Sequence, residues 1–297
     1  MPKLAKRIIL FFGLLAVFLQ AQGHVTAQQP EANSPAIAPP PDLAWWASLE
    51  PVWRRILGSA AGLGSQPSQQ DMKKLQYLDA LDCAQTAVTS LEPLRRLQNL
   101  ESLWCDQTKI TDLSPLAALP RLKNLNIGST EISDLSPLKD VKSLMKLECY
   151  NTRVTSLAPL SGLANLEVLD CSNTKIKSLT SLSSLKKLRV LYINKTEVAD
   201  LGPLKSLPSL SELSFLKTPV KSIEPLRNSQ QLRELVMQST EVVSLDPVKN
   251  LKNLSVVYCY DTRVSQEEAQ PERQAELSGQ QSRIEATDAE ATVTNQG

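Results

Sequence analysis

Nine leucines stand in register 22 residues apart: Leu78, Leu100, Leu122, Leu144, Leu166, Leu188, Leu210, Leu232 and Leu254. Three places after each comes a second apolar residue, Leu81, Leu103, Leu125, Leu147, Leu169, Leu191, Leu213, Leu235 and finally Val257. The ninth place of every unit is threonine: Thr86, Thr108, Thr130, Thr152, Thr174, Thr196, Thr218, Thr240 and Thr262. A period this short, without insertions, excludes a single thick core. Each unit is too small to bury its apolar side alone, so successive units must stack and share one continuous interior. Composition agrees, because aromatics make up only 4% of the chain while leucine recurs throughout.

The unit reads L-x-x-L-x-(C/I/F/M)-x-x-T-x-(V/I)-x-(S/D)-(L/I)-x-P-(L/V)-x-x-(L/V)-x-x, with a few departures. Alternation around its fourth and sixth places predicts a short strand with one buried face. Later apolar residues at spacings of three, such as Val154, Leu157, Leu160 and Leu163, predict a tight helical turn with one buried stripe. Ser or Asp precedes that turn in all eight complete units: Ser90, Asp112, Asp134, Ser156, Ser178, Asp200, Ser222 and Ser244. Their side-chain oxygens can accept from the free amides at a helix start. Proline follows three places later, where its missing N–H costs little, and Ser181 alone breaks the series.

This unit resembles the 22-residue leucine-rich repeat of the internalin-like class of bacterial surface and secreted proteins, over about residues 78–264. The resemblance implies an α/β leucine-rich-repeat solenoid, with a parallel β-sheet on the concave side and short 3-10 or helical turns on the convex side. Adhesion or host interaction is the role it implies. One place departs from the commonest pattern, which has asparagine where this chain has threonine. Asparagine can bond neighbouring coils through donor and acceptor atoms, whereas threonine offers one hydroxyl and a methyl. The threonines are therefore expected to line the interior and not to act as nucleophiles.

All five cysteines, Cys83, Cys105, Cys149, Cys171 and Cys259, occupy the sixth place, which elsewhere holds Ile127, Ile193, Phe215 and Met237. Interchange with large apolar residues predicts buried core thiols. Disulfides and a metal cluster are the alternatives. Cys83/Cys105 and Cys149/Cys171 would be neighbours across one rung, roughly 4.8 Å apart by strand spacing. Parallel side chains at that spacing are poorly aimed for a bridge, and Cys259 has no counterpart on the neighbouring rung.

The ends of the array carry different signals. Residues 1–27 read as a secretory signal peptide: Lys3, Lys6 and Arg7, an apolar run from Ile8 to Leu19, then Val25-Thr26-Ala27 before Gln28. The run falls short of the roughly twenty residues a membrane span needs; an uncleaved anchor is the alternative. No second apolar stretch follows, so no membrane span is expected after cleavage, and the protein would be secreted, periplasmic or at the cell surface. Residues 28–41 are Pro/Ala-rich and read as a tether. Residues 42–77 read as a helical N-terminal cap, a helix from Asp42 to Leu57 with a break near Pro51, then a second from Ser68 to Leu75. In the first, Trp46, Leu49, Trp53 and Ile56 share a face and Gly58 suits a C-cap. A carbohydrate platform is the alternative reading of these tryptophans. Residues 78–264 hold eight complete units and a truncated ninth. Residues 265–297, with seven acids and two arginines, read as a short capping helix at Ser265–Glu268 followed by a disordered tail.

On the strands, the third, fifth and seventh places should face outward. The fifth column runs Asp82, Trp104, Asn126, Glu148, Asp170, Tyr192, Ser214, Val236, Tyr258, and the seventh Ala84, Asp106, Gly128, Tyr150, Ser172, Asn194, Leu216, Gln238, Tyr260. Four of the five tyrosines and the tryptophan outside the cap fall in these columns. Aromatics have no packing role at outward positions and are enriched at binding hot spots. Trp104, Asp106, Glu148, Tyr150, Asp170, Tyr192, Asn194, Leu216, Tyr258 and Tyr260 are therefore the candidate contact residues.

Catalysis finds little support in the residues. The single histidine, His24, precedes the expected cleavage site, so the mature chain would have no Ser-His-Asp or Cys-His arrangement. No phosphate loop, dinucleotide fingerprint or metal-ligand cluster stands in the sequence. Glu148 and Asp170 on adjacent rungs are the one paired-carboxylate candidate, and an open sheet gives them no deep site. The net charge of +1 carries no basic block for nucleic acid. The expectation is an exported, monomeric, non-catalytic module without cofactor or metal that binds a protein partner, with carbohydrate as a second ligand class. A structural envelope scaffold and a regulator or inhibitor of another enzyme are the alternatives.

Overall fold

The computed structural model describes residues 39–264. The readings of a signal peptide, of most of the tether and of the acidic tail with its capping helix lie outside the described residues.

Each of the nine units contributes one three-residue strand: β1 (Ala80–Asp82), β2 (Ser102–Trp104), β3 (Asn124–Asn126), β4 (Lys146–Glu148), β5 (Val168–Asp170), β6 (Val190–Tyr192), β7 (Glu212–Ser214), β8 (Glu234–Val236) and β9 (Val256–Tyr258). They form one parallel sheet in sequence order. The register sets every residue opposite its counterpart one unit on, as in Leu81 opposite Leu103 and Leu103 opposite Leu125. The fourth-place leucines point inward and the residues on either side are mostly half-buried, with Val190 and Ser214 buried. A slip of one residue would turn the whole leucine column to solvent, so the apolar pattern pins the register.

What ends each strand is a turn whose left-handed residue is never glycine. The eighth residue of every unit, from Gln85 through Ser129, Asn173 and Lys195 to Asp261, has a φ between 53° and 57°. This left-handed conformation is costly for residues with a Cβ. It is held by an amide bond to the next coil, as in the Gln85 N–H donating to the Asp106 carbonyl at 2.9 Å and Lys195 to Leu216 at 2.7 Å. The ninth-place threonine follows, buried in the middle coils, and its hydroxyl donates back to the sixth-place carbonyl at 2.5–2.8 Å in all nine units. The threonines thus do by a local bond what an asparagine ladder would do between coils.

After the turn, the thirteenth-place Ser or Asp accepts from the amide two residues on in all eight complete units, at 2.7–3.3 Å. These side-chain turns open the 3-10 segments Glu92–Arg96, Ser114–Ala118, Ser136–Asp140, Ala158–Leu160, Thr180–Leu182, Gly202–Ser206 and Glu224–Leu226. The Thr180–Leu182 segment forms without proline at Ser181, so the hydroxyl–amide bond suffices to start it.

The first coil is covered by α1 (Leu43–Ser48), α2 (Pro51–Ala61) and α3 (Gln69–Leu75). Leu49, Trp53, Ile56, Leu57, Met72 and Leu75 join the repeat leucines in one buried cluster, with Trp45 and Trp46 packed against it. The Trp53 indole N–H donates to the Ser90 carbonyl at 3.1 Å, and Arg96 lies 5.7 Å from the Trp45 ring centroid while pairing with Asp42 at 3.2 Å. This packing places Trp45, Trp46 and Trp53 as a lid on the array.

One expectation here is wrong. Gly58 does not end its helix; it lies inside α2, where an added Cβ would stand 3.5 Å from Trp46 Cη2. Gly62, at φ 62°, is the C-cap, and the helix therefore runs to Ala61. The break at Pro51 is observed, with α2 starting on the proline itself. The helix expected from Ser68 is α3, with Ser68 as its N-cap in a complete capping box with Asp71.

All five thiols are buried and unbridged. Burial pushes the Cys149 and Cys171 thiols far above the ordinary range, and at Cys105 a side-chain bond with Cys83 does so first, with burial adding to it. Such thiols are inert packing groups.

Candidate functional site

The sheet register places the fifth-column side chains as a continuous row: Asp82, Trp104, Asn126, Glu148, Asp170, Tyr192, Ser214, Val236 and Tyr258 are consecutive partners. The predicted contact residues Trp104, Glu148, Asp170 and Tyr192 share the central stretch of this row and are half-buried. Tyr258 and Tyr260 stand at the far end, 40% and 68% exposed. Leu216 is half-buried between them and the centre.

Two of the predicted contact residues are used differently. Asp106 keeps its place in the outward seventh column but is buried there, 6% exposed. The cause lies one coil on, where Gly128 has no side chain and the Tyr150 ring occupies its space. A Cβ at Gly128 would fall 2.4 Å from Tyr150 Cζ. The ring leans across Gly128 on the side of Asp106, held by a side-chain bond to Asn126; burial first, then the Asp106 charge, pushes its hydroxyl up. Asn194 is also engaged internally: its side-chain oxygen accepts from Ser214 Oγ at 2.6 Å and from the Leu216 amide at 2.8 Å.

The electrostatics of the face follow from partial burial. Burial raises the Glu148 carboxyl above its ordinary value, opposed by Lys146 at 3.1 Å and reinforced by Asp170. Asp170 is likewise raised by burial, although Ser172 bonds its carboxylate. The Tyr192 hydroxyl donates to Glu212 Oε2 at 3.0 Å, and burial with that carboxylate pushes it far up. Glu234 is raised by burial and by Glu212. Lys146, Glu212 and Glu234 all come from the outward third column and are not among the predicted contact residues. Their spacing by multiples of 22 was the available signal.

Away from the sheet, a recess of about 360 Å³ is lined by Thr155, Ser156, Leu157, Lys175, Lys177, Ser178, Ser181 and Glu197. It lies where serine replaces the repeat proline. Among the described residues, no group of three or more His, Cys, Asp or Glu side chains is arranged to hold a metal ion. None of the described helices is long and apolar enough to cross a membrane.

A parallel sheet of short strands, each ending in a left-handed turn and the first seven followed by a 3-10 segment, defines a leucine-rich-repeat protein. The family description "Leucine Rich repeats (2 copies)" matches residues 98–140 and 142–184. Among solved structures, internalin C2 from Listeria monocytogenes is similar at 28% identity and a TM-score of 0.69, covering 77% of this chain and 100% of that one. An internalin (inlF) from the same organism matches at 24% identity and a TM-score of 0.69, over 82% of this chain and 76% of its own. A leucine-rich-repeat protein from Leptospira interrogans matches at 20% identity and a TM-score of 0.64, over 72% and 56%. No curated protein matches the sequence. The chain carries leucine-rich repeats and is similar to bacterial internalins. Such repeats are commonly protein-interaction modules and typically non-catalytic.

Proposed function

We propose that this chain is an exported, non-catalytic recognition module that binds a protein partner through its sheet face, in adhesion or another contact at the cell envelope. The observation that carries this reading is the row of Trp104, Tyr150 and Tyr192 on the sheet, continued by the exposed Tyr258 and Tyr260. Large, rigid aromatic groups lose little entropy on binding and supply most of the contact energy at interfaces. The scaffold beneath them is a preformed sheet with a fixed register, so little of that energy goes into ordering. The expected signal peptide at 1–27 and the similarity to internalins support export and an extracytoplasmic partner.

The test is capture from envelope and host-cell extracts by the immobilised chain and by a matched variant. The variant carries Trp104→Ala, Tyr150→Ala, Tyr192→Ala and Tyr258→Ala, with its fold confirmed by circular dichroism. A protein held by the parent and lost by the variant is the expected result and names the partner. Equal capture by both would refute sheet-face recognition.

A further inference from the structure

The outward columns of the sheet are charged out of proportion to the rest of the molecule. Over β1–β8 the third, fifth and seventh places hold six carboxylates, Asp82, Asp106, Glu148, Asp170, Glu212 and Glu234, against one ammonium, Lys146. Over residues 39–264 as a whole, basic side chains outnumber acidic ones by 27 to 23. The sheet face therefore has a local charge of −5 on a body that is otherwise net positive. Two of the cations at the margin of the strands are engaged by acids of the preceding coil, Lys123 with Glu101 at 2.8 Å and Arg189 with Glu167 at 3.4 Å.

Aromatic rings alternate with these carboxylates. Asp170 and Tyr192 are direct partners in the register, and Trp104 lies in the same row as Glu148, with Asn126 between. Ring faces beside carboxylates make a setting that favours guanidinium and ammonium groups, which gain from the π-face and the anion together. Burial already pushes the Glu148, Asp170 and Glu234 carboxyls up, which marks them as part-desolvated anions that a cation opposite them would stabilise.

We propose that the sheet face docks a basic, extended segment of a partner polypeptide, its lysines and arginines seated among these carboxylates and against Trp104, Tyr150 and Tyr192. The proposal rests on the sheet face being the binding surface and adds the chemistry of what it binds. From β1 to β8 is seven rungs, about 34 Å at ~4.8 Å per rung. Extended chain covers that span in about ten residues at ~3.3 Å each. The chain's own residues 265–297 are excluded as the occupant by sign, since seven acids and two arginines would be repelled.

The test uses fluorescein-labelled decalysine as probe and decaglutamate as control, with anisotropy read on the full chain at ~0.15 M salt, where charges are screened beyond about 8 Å. Three chains are compared: the parent, the sheet variant Glu148→Gln/Asp170→Asn/Glu212→Gln, and a turn-side variant Glu131→Gln/Glu197→Gln/Glu241→Gln with the same change in net charge. The sheet variant should weaken decalysine binding by about tenfold or more, and the turn-side variant by less than about twofold. Equal weakening by the two variants, or no decalysine binding by the parent, would overturn the proposal. Applied to the captured partner, the sheet variant separates the two readings. A partner lost with the aromatic variant but held by the sheet variant leaves the surface standing and refutes the basic segment. A partner held by the aromatic variant refutes the surface itself.

Discussion

Replacing Thr174 by valine removes one oxygen from the middle of the array and changes almost nothing in shape. Thr174 is 3% exposed, and its hydroxyl donates to the Cys171 carbonyl at 2.6 Å. The carbonyl faces the interior at the end of β5, where water cannot replace the lost donor. A buried acceptor left without its partner costs about 1–3 kcal/mol, partly offset by the added methyl. Thr174→Val should therefore lower stability by about 1–2 kcal/mol. Thr174→Ser, which keeps the donor and loses the methyl, should cost about 1 kcal/mol by the lost burial. Thr86→Val, in the half-buried first coil, should cost less than Thr174→Val because solvent reaches the site. Urea unfolding followed by circular dichroism measures all three, with the slope checked for constancy so that midpoints report stability. If Thr174→Val is as stable as the parent while Thr174→Ser is weakened, the column works by methyl packing, and the hydrogen-bond account is wrong.

At Lys195, with φ 54°, a β-branched residue is strongly disfavoured, so Lys195→Val should cost about 1–2 kcal/mol while Lys195→Gly is neutral or stabilising; thermal midpoints of the pair check this. Gly128→Ala should displace the Tyr150 ring, cost about 1–3 kcal/mol and shift the near-ultraviolet dichroism, yet cost little when Tyr150→Ala is already present. A double-mutant cycle reads that coupling, and additive costs would refute the contact. Glu148 is held above its unfolded value, so its stabilising contribution is present below about pH 4 and is lost as pH rises through the raised value. Glu148→Gln should then gain stability relative to the parent between pH 4 and pH 7, read as the difference in urea midpoints; a loss over that interval would contradict the sign.

The columns that build the coil were legible because each answers to a local rule repeated in every unit. The leucines, the Ser/Asp turn starters such as Asp134 and Ser222, and the first-turn prolines carry the same demand at each return, and repetition makes a weak signal strong. The left-handed eighth place was not legible, because Gln107, Lys195 and Asp261 have no residue type in common. Only Asn151 and Asn173 hint at it, since asparagine tolerates that conformation better than most residues. Gly58 misled because a glycine near a helix end normally signals a C-cap. Here the signal was a close approach by Trp46 of the preceding helix, and pairwise packing of that kind leaves no periodic trace.

By itself, the sequence determined the period, which columns turn inward, and the fact that aromatics and acids gather on the opposite columns. All of these follow from one-dimensional spacing, because in a stacked array each residue's neighbours are its own counterparts one unit away. Tertiary structure alone decided what each outward side chain does with its place. Tyr150 lies over Gly128 and keeps Asp106 buried, Asn194 turns its oxygen to Ser214 and Leu216, and Tyr192 reaches Glu212. The physical reason is that outward residues are not held by a common core. Their positions are set by the size and polarity of particular neighbours across a rung, and those neighbours differ from one coil to the next.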